Sequence, residues 1–458
     1  MEKLTAKAID TLYEQQKVFF ASNETQAIPF RVKQLKKLKQ AILAYQKELE
    51  EAVWKDLHKS KEEFFITEIG VVLTEIDLHI KQVAHWSKPQ RVASPYYLFP
   101  AKTSVYHQPY GTTLIISPWN YPFQLLINPL VGAISSGCTA ILKPTPDIPN
   151  VTAVMQKMID ATFEKKYIAL IQGDIPVNEM LLKKAFDLIF FTGSSRVGKI
   201  IMKAAAEHLT PVVLELGGKT PCIVDHGVNL DATARRILWG KFTNAGQTCV
   251  APDYLMVHES IKEKLLEKMT TYLVEMFGDA VAESSHYGRI INKKMFDRLA
   301  PMIQEGKVRV GGQSDRKSLF IAPTLLEDVP EKAKAMQEEI FGPILPVMSF
   351  TNTEEVFERI NANEKPLAFY YFGKKSKGRE MIEKSTSGGA CINDALIHLA
   401  CSNIPFGGVG NSGMGSYHGY KSFLAFTHER GVFENTTRID PPLRYAPFKY
   451  FPILKRLL

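Results

Sequence analysis

The chain has 458 residues, 45% of them hydrophobic and 23% charged, an ordinary globular composition with length for two or three domains and a substantial core. Its formal net charge of +8 is diffuse. The densest basic run, residues 31–39 (RVKQLKKLK), overlaps the apolar spacing Leu35, Leu38, Ile42, Tyr45 and Leu49, which predicts the wet face of an amphipathic helix and no nucleic-acid patch. Five cysteines (Cys138, Cys222, Cys249, Cys391, Cys401) without a CxxC pair argue against a disulfide framework and a structural zinc site; no metal ligands and a cytoplasmic, reducing location are expected.

The first ninety or so residues read as helical. Ile66, Ile69, Leu73, Ile76, Ile80 and Val83 recur at steps of three and four, placing one apolar stripe against a core. His79 and His85 in this stretch lack a ligand-type partner at useful spacing and read as structural. No signal peptide or membrane-spanning stretch is evident. Residues 88–100 (KPQRVASPYYLFP) form a Pro-rich, irregular excursion. Strand-like runs follow at 112–116, 139–142, 167–171 and 187–191, with room for helices between them, which argues for parallel βαβ units and a nucleotide-binding layer. A second alternation from Val212 to about Asn393 suggests a second α/β domain, with a helix at 261–277 and strands at 307–310 and 344–350.

Within that second half, residues 241–252 (KFTNAGQTCVAP) stand out. Helical spacing precedes Cys249 (Ala234, Ile237, Leu238, Lys241) and a strand-like run follows at 254–257, so this cysteine lies on a loop between ordered elements. Alone it would read as a buried, inert thiol. Two glycine patterns need weighing. Gly408-Val-Gly-Asn-Ser-Gly413 matches GxGxxG, but no strand precedes it and no suitable acid follows, so it reads as a loop. Gly193-Ser-Ser-Arg-Val-Gly198-Lys199 nearly matches a P-loop, yet Ile200 stands where Ser or Thr would hold magnesium. A pyrophosphate at the following helix N-terminus needs no magnesium.

Three further pieces accompany Cys249. Ser117-Pro-Trp-Asn120 ends the first strand of the βαβ series and puts the Asn120 amide at a carboxyl edge, where it could donate to a developing oxyanion. Leu214-Glu215-Leu216-Gly217-Gly218 sets a carboxylate in an apolar strand, either ion-paired or held for proton work. Glu338-Glu339-Ile-Phe341-Gly-Pro343 offers an acidic pair beside an aromatic and a turn. Taken in order, and joined by Leu142-Lys143-Pro144, Phe191-Thr192-Gly193, Gly246-Gln-Thr-Cys249 and Pro405-Phe-Gly-Gly408, these segments resemble the aldehyde dehydrogenase superfamily over nearly the whole chain. The short N-terminal region, the Ala251-Pro-Asp-Tyr254 after the cysteine and the aromatic tail resemble its compact class-3 branch, which includes fatty and aromatic aldehyde dehydrogenases.

The resemblance implies an α/β, aldehyde dehydrogenase-like fold. A Rossmann-type NAD(P)-binding domain is expected over residues 1–87 and 109–213, and an α/β catalytic domain over 214–399. Bridging and oligomerisation elements are expected over 88–108 and 400–440, and a tail over 441–458. It further implies oxidation of medium-chain aliphatic or aromatic aldehydes. Cys249 as thiolate attacks the carbonyl, Asn120 and the Cys249 N–H steady the oxyanion, and Glu215 activates the water that hydrolyses the thioester. For the cofactor, NAD or NADP, it implies Glu339 and Phe341 at the nicotinamide ribose end, Lys143 at the adenine ribose, and Thr192, Gly193, Ser194, Val197 and Gly198 at the pyrophosphate. A homodimer joined by a β-arm built from residues 104–108 and 431–438 is expected, as is an apolar tunnel lined by Trp119, Tyr121, Phe123 and residues 398–404. For the tail, residues 448–458, membrane contact, packing on the body and disorder stay open. The rival functions are a CoA-acylating dehydrogenase, disfavoured by Glu215, a catalytically idle protein on the same scaffold, and a P-loop phosphotransferase.

One position departs from the family pattern. Relatives often carry an acid three residues after the lysine, where it grips the adenosine ribose; here that residue is Pro146. Without that carboxylate a 2′-phosphate meets less repulsion, and Lys143 or Thr145 could contact it. NADP⁺ is therefore expected to support turnover alongside NAD⁺. Steady-state rates with each cofactor check this, and the absence of usable NADP⁺ turnover would sink the reading.

Overall fold

The computed structural model describes residues 5–440 and 442–457. Residues 1–4 of the expected first domain, and residues 441 and 458 of the expected tail, lie outside them. A six-stranded sheet has the spatial order Gly413–Met414, Val212–Glu215, Leu188–Thr192, Thr112–Ser117, Thr139–Pro144, Ile168–Leu170. The last five strands run parallel, and Gly413–Met414 pairs antiparallel with Val212–Glu215. Helices Gln124–Ser136, Pro149–Thr162, Ile175–Leu182 and Ser195–Ala206 connect the parallel strands in sequence. This is the expected nucleotide-binding alternation with one correction. The strand at Val212 belongs to this sheet; it does not open the second alternation, because its apolar run is in register with Ile189–Thr192.

The second sheet has seven strands, ordered Lys307–Val310, Thr324–Glu327, Ile344–Phe350, Tyr254–His258, Pro221–Val224, Ala368–Phe372, Gly389–Ile392. All are parallel except Lys307–Val310. The expected strands at 307–310 and 344–350 and the helix Lys262–Phe277 are in place. A third, antiparallel sheet joins Gln90–Val92, Lys102–Pro109 and Thr427–Glu434. The supposed irregular excursion therefore contains a short strand. Residues 104–108 lie in the middle strand, while 435–438 lie beyond the end of the outer one.

The N-terminal region packs as helices against the first sheet. In helix Ile28–Leu57, Leu35, Leu38, Ile42 and Leu49 are fully buried, as their spacing predicts. Arg31 departs from the wet-face reading. It is buried and donates to the carbonyls of Thr25 (3.0 Å), Gln26 (2.8 Å) and Ser135 (3.2 Å). The apolar stripe in the next helical stretch also breaks at one end. A π-helical turn, Phe65–Ile69, separates Lys61–Phe64 from Gly70–Trp86 and shifts the helical phase, leaving Ile66 exposed and turning Glu68 inward. The tail ends in a short helix, Phe451–Leu457, whose Phe451 and Ile453 are exposed, so those side chains do not pack on the body. Among the described residues no helix is long and apolar enough to cross a membrane.

Arg31 ties the start of the long helix to the end of helix Gln124–Ser136, whose other end adjoins the Asn120 loop. Arg31→Met removes the donor from all of these carbonyls at once. At roughly 1–3 kcal/mol for each buried group left unsatisfied, a loss of about 3 kcal/mol or more is expected. A lowered urea midpoint reads it.

Candidate active site

The Asn120 loop leaves the carboxyl end of strand Thr112–Ser117 and enters helix Gln124–Ser136. Its backbone is held by a buried ion pair that the sequence reading overlooked. Lys59 donates to Glu68 Oε1 at 2.6 Å and to the Asn120 carbonyl at 3.1 Å. Glu68 Oε2 accepts the N–H groups of Phe123 (2.9 Å) and Gln124 (3.2 Å). Both charged side chains are fully buried, so each depends on the other and on the loop for its hydrogen bonds. The Lys59 ammonium also lies 4.2 Å from the centre of the Tyr121 ring.

The reactive loop is shaped by its own sequence. After helix Leu230–Phe242 three successive residues, Asn244, Ala245 and Gly246, take positive φ (55°, 51° and 73°) and turn the chain sharply. A side chain at Gly246 would overlap the Gly342 carbonyl. Gln247 locks the turn: its amide donates to the Asn244 and Arg289 carbonyls and accepts the Ile291 N–H, each at 3.0 Å. The two loops then join. The Asn120 amide donates to the Gln247 carbonyl at 3.0 Å, Asn244 donates back to the Asn120 carbonyl at 2.7 Å, and the Tyr121 and Thr248 hydroxyls are 2.6 Å apart.

Cys249 emerges from this assembly partly exposed. Burial pushes its thiol up to about 12, the Glu339 and Glu215 carboxylates add to the rise, and the N–H groups of Cys249 and Val250 oppose it. The resting sulfur is thus a thiol. Glu215, at the end of strand Val212–Glu215, is buried, and among the described residues neither of its carboxylate oxygens has a hydrogen-bond partner. Burial holds its carboxyl well above the usual carboxylate range. The sequence alternatives for this acid were an ion pair or proton work; no ion pair to it is found among the described residues.

The cofactor candidates line the same carboxyl edge of the six-stranded sheet. Lys143 is buried and donates to the Pro144 (2.8 Å) and Gly173 (2.7 Å) carbonyls; burial lowers its ammonium to about 8 against the pull of Asp174. Thr192 ends strand Leu188–Thr192 with its hydroxyl buried and unpartnered. Ser194 caps helix Ser195–Ala206 by accepting the Val197 N–H at 3.4 Å. Side chains at Gly193 and Gly198 would overlap Phe191 and Leu216. One Glu339 carboxylate oxygen has no hydrogen-bond partner among the described residues; burial, then Asp253, raises its carboxyl to about 8, with the Gly218 N–H opposing the rise. Phe341 takes φ +51° and sets its ring edge-on to Trp119, 5.4 Å between centres.

Of the residues expected to line a tunnel, Phe123 sits in the core, and Tyr121 is buried under Thr248. Of the 398–404 loop, Leu399, Ala400 and Ser402 line a cavity of about 300 Å³ with Phe65, Ile66 and Asn128; its lining does not include Cys249, Asn120 or Glu215. The GxGxxG segment is a loop, as read, and its last glycine pairs with Glu215. Gln247 and Asn244 were legible as part of a motif, but their structural work was not; Lys59 and Glu68 carried no pattern at all.

The sequence profile described as "Aldehyde dehydrogenase family" matches residues 1–432. The chain belongs to the aldehyde dehydrogenase family. It is 45% identical over 444 residues to the 4,4′-diaponeurosporen-aldehyde dehydrogenase of Staphylococcus aureus, covering 96% of this chain and 97% of that protein. It is 41% identical to the dog "Aldehyde dehydrogenase, dimeric NADP-preferring", over 96% and 98% of the two chains. Among solved structures, "Substrate bound state of Staphylococcus Aureus AldH" superposes with a TM-score of 0.96 at 44% identity, covering 98% of this chain and 99% of that one. Aldehyde dehydrogenase relatives thus span both sheets and the loops just described.

Lys59→Met should cost activity through the Asn120 loop, without touching a reacting atom. A displacement of about 1 Å at such a loop is commonly worth about 10²-fold, so kcat for aldehyde oxidation is expected to fall about that far with little change in KM. Stability should fall by about 3–5 kcal/mol from the stranded Glu68, read as a lower urea midpoint. Replacing both residues with Met should restore much of the midpoint and none of the kcat.

Proposed function

We propose that this aldehyde dehydrogenase oxidises aldehydes to free carboxylic acids with NAD⁺ or NADP⁺, through a covalent acyl group on Cys249. The observation that carries the reading is a buried, unpartnered Glu215 carboxylate electrostatically coupled to a partly exposed thiol whose loop is hydrogen-bonded to Asn120. The residues also suit a dinucleotide. The unpartnered Glu339 oxygen and Thr192 hydroxyl await partners, and Gly193 and Gly198 keep the strand–helix junction free of side chains. Lys143, Ser194, Val197 and the N-terminus of helix Ser195–Ala206 would hold the adenosine and pyrophosphate, with Glu339 and Phe341 at the nicotinamide end. When bound, the nicotinamide accepts the two electrons of the oxidation.

The chain's residues account for the remaining steps. Because the thiol holds its proton, attack on the aldehyde carbonyl requires that proton to leave as the carbon–sulfur bond forms, and Glu215 or Glu339 is the acceptor. The second Asn120 amide hydrogen, not used by Gln247, and the Cys249 N–H stabilise the oxyanion of the thiohemiacetal. After oxidation the thioester is cleaved by water deprotonated at Glu215, which releases the acid and restores the thiol. The Glu215 role favours hydrolysis over transfer to coenzyme A.

Medium-chain aliphatic or aromatic aldehydes are the substrates that the resemblance to the class-3 branch favours. The S. aureus relative is named for 4,4′-diaponeurosporen-aldehyde. NADP⁺ use is supported by Pro146 and by the NADP-preferring mammalian relatives. The outer strand Thr427–Glu434 has one unpaired edge and an exposed Phe433, which a second copy would cover, in keeping with the dimeric relatives.

Acid production from an aldehyde panel without added CoA tests the reading. Cys249→Ala is expected to abolish it, and Glu215→Gln to lower kcat roughly 10²–10⁴-fold while acyl-enzyme accumulates. Acid that forms only when CoA is supplied would overturn it. The pH dependence has a fixed sign: both carboxyls and the thiol are raised, so their protonated, inactive forms dominate at low pH and kcat/KM should climb toward alkaline pH. A profile falling from neutral to alkaline pH contradicts this.

A further inference from the structure

At the opposite end of the catalytic sheet, strands Pro221–Val224 and Tyr254–His258 run side by side and finish together. Asp225 and His226 follow the first strand and His258 closes the second. One ligand-type atom from each lies within 4.8 Å of the other two. Asp225 Oδ2 accepts the Tyr371 hydroxyl at 2.8 Å, and Oδ1 lies 2.7 Å from His226 Nδ1. Ser260 Oγ lies 2.8 Å from His258 Nδ1, which also accepts the Ser260 backbone N–H at 3.3 Å. The two imidazole rings are 4.9 Å apart. Asp225 and His258 are thus each held in place by a neighbouring group, and ligation through His258 Nε2 requires its ring proton to move to Nδ1. The third, His226, is 62% exposed and open to an ion from solvent. The reactive loop precedes the start of strand Tyr254–His258, so roughly 15 Å of strand, at about 3.3 Å per residue, lies between Cys249 and this cluster.

We propose that Asp225, His226 and His258 form a binding site for a borderline-soft divalent cation of the zinc class, with water in the remaining position. Two imidazoles and one carboxylate suit a four-coordinate ion with ligand bonds of about 2.0–2.1 Å; closing the cluster requires rotation of the exposed His226 side chain. The same ligand set discriminates against magnesium and calcium, which take oxygen. Of the other charged groups around the cavity, Lys377 is paired with Glu380 at 3.1 Å, and Lys374 lies on the cavity wall. No spacing signal could have announced the site, because only strand pairing brings His258 to Asp225 and His226.

Calorimetric titration of zinc chloride into the chelator-stripped full chain tests it. A Cys249→Ser, Cys401→Ser background keeps the accessible thiols from taking the ion. One zinc per chain is expected, unaffected by excess magnesium. His226→Ala and His258→Ala, made separately in that background, should each weaken binding at least tenfold. In the otherwise native chain His226→Ala should leave kcat for aldehyde oxidation unchanged. Equal zinc binding with and without the two histidines, no binding in the background protein, or displacement of zinc by magnesium would each overturn the proposal.

Discussion

The hydrogen bond from the Asn120 side chain to the Gln247 carbonyl, with the Asn244–Asn120 and Tyr121–Thr248 contacts beside it, joins the two halves of the molecule at the candidate site. Asn120 belongs to the carboxyl edge of the six-stranded sheet, and Gln247 to the loop that feeds a central strand of the seven-stranded one. Each loop is rigid for its own reasons. Lys59 and Glu68 fix the first from below, and the left-handed run at Asn244–Gly246 fixes the second through Gln247. In the proposed reaction the nucleophile sits on one body and the oxyanion donor on the other, and these contacts join two already rigid segments. A flexible partner on either side would leave the geometry to chance.

Much of this was legible from residue types. The alternation of strand-like and helical runs placed four of the six strands of the nucleotide-binding layer within a residue or two, because parallel strands buried on both faces are continuous apolar runs. Cys249, Glu215, Asn120 and Glu339 were each ambiguous alone and stood out only through the ordered resemblance to the aldehyde dehydrogenase superfamily. What stayed hidden is instructive. Arg31 sat in a basic run and looked like solvated charge, yet its fate was decided by the carbonyls of a distant helix end. Ile66 kept perfect spacing, but a π-turn, which periodicity does not encode, put it in water. Lys59 and Glu68 look like any lysine and glutamate near a helix end, and only the fold makes them a pair.

The buried acids divide by what surrounds them, and the division tracks their use. Glu68 has an ammonium and two backbone N–H groups. Asp253 has the Lys219 ammonium and the Ile340 N–H. For Glu75, burial would raise the carboxyl, but His79 and the Ser422 hydroxyl bind it strongly enough to hold it below its ordinary value. These three are bound on several sides and serve the frame. Glu215 and Glu339 are different: burial dominates, at least one oxygen of each lacks a partner among the described residues, and both titrate high.

That contrast bears on how a thiol pushed up to about 12 can act as a nucleophile. Pairing Cys249 with a permanent cation would keep a thiolate at rest, nucleophilic but also open to oxidation. The surroundings here do the reverse. Burial of the sulfur, with the Glu339 and Glu215 carboxylates adding to it, keeps the proton on sulfur. In the proposed reaction the ionised fraction of either acid, whose burial raises its proton affinity, takes that proton when an electrophile arrives. In that reading the burial that disfavours the thiolate also makes these acids the stronger bases.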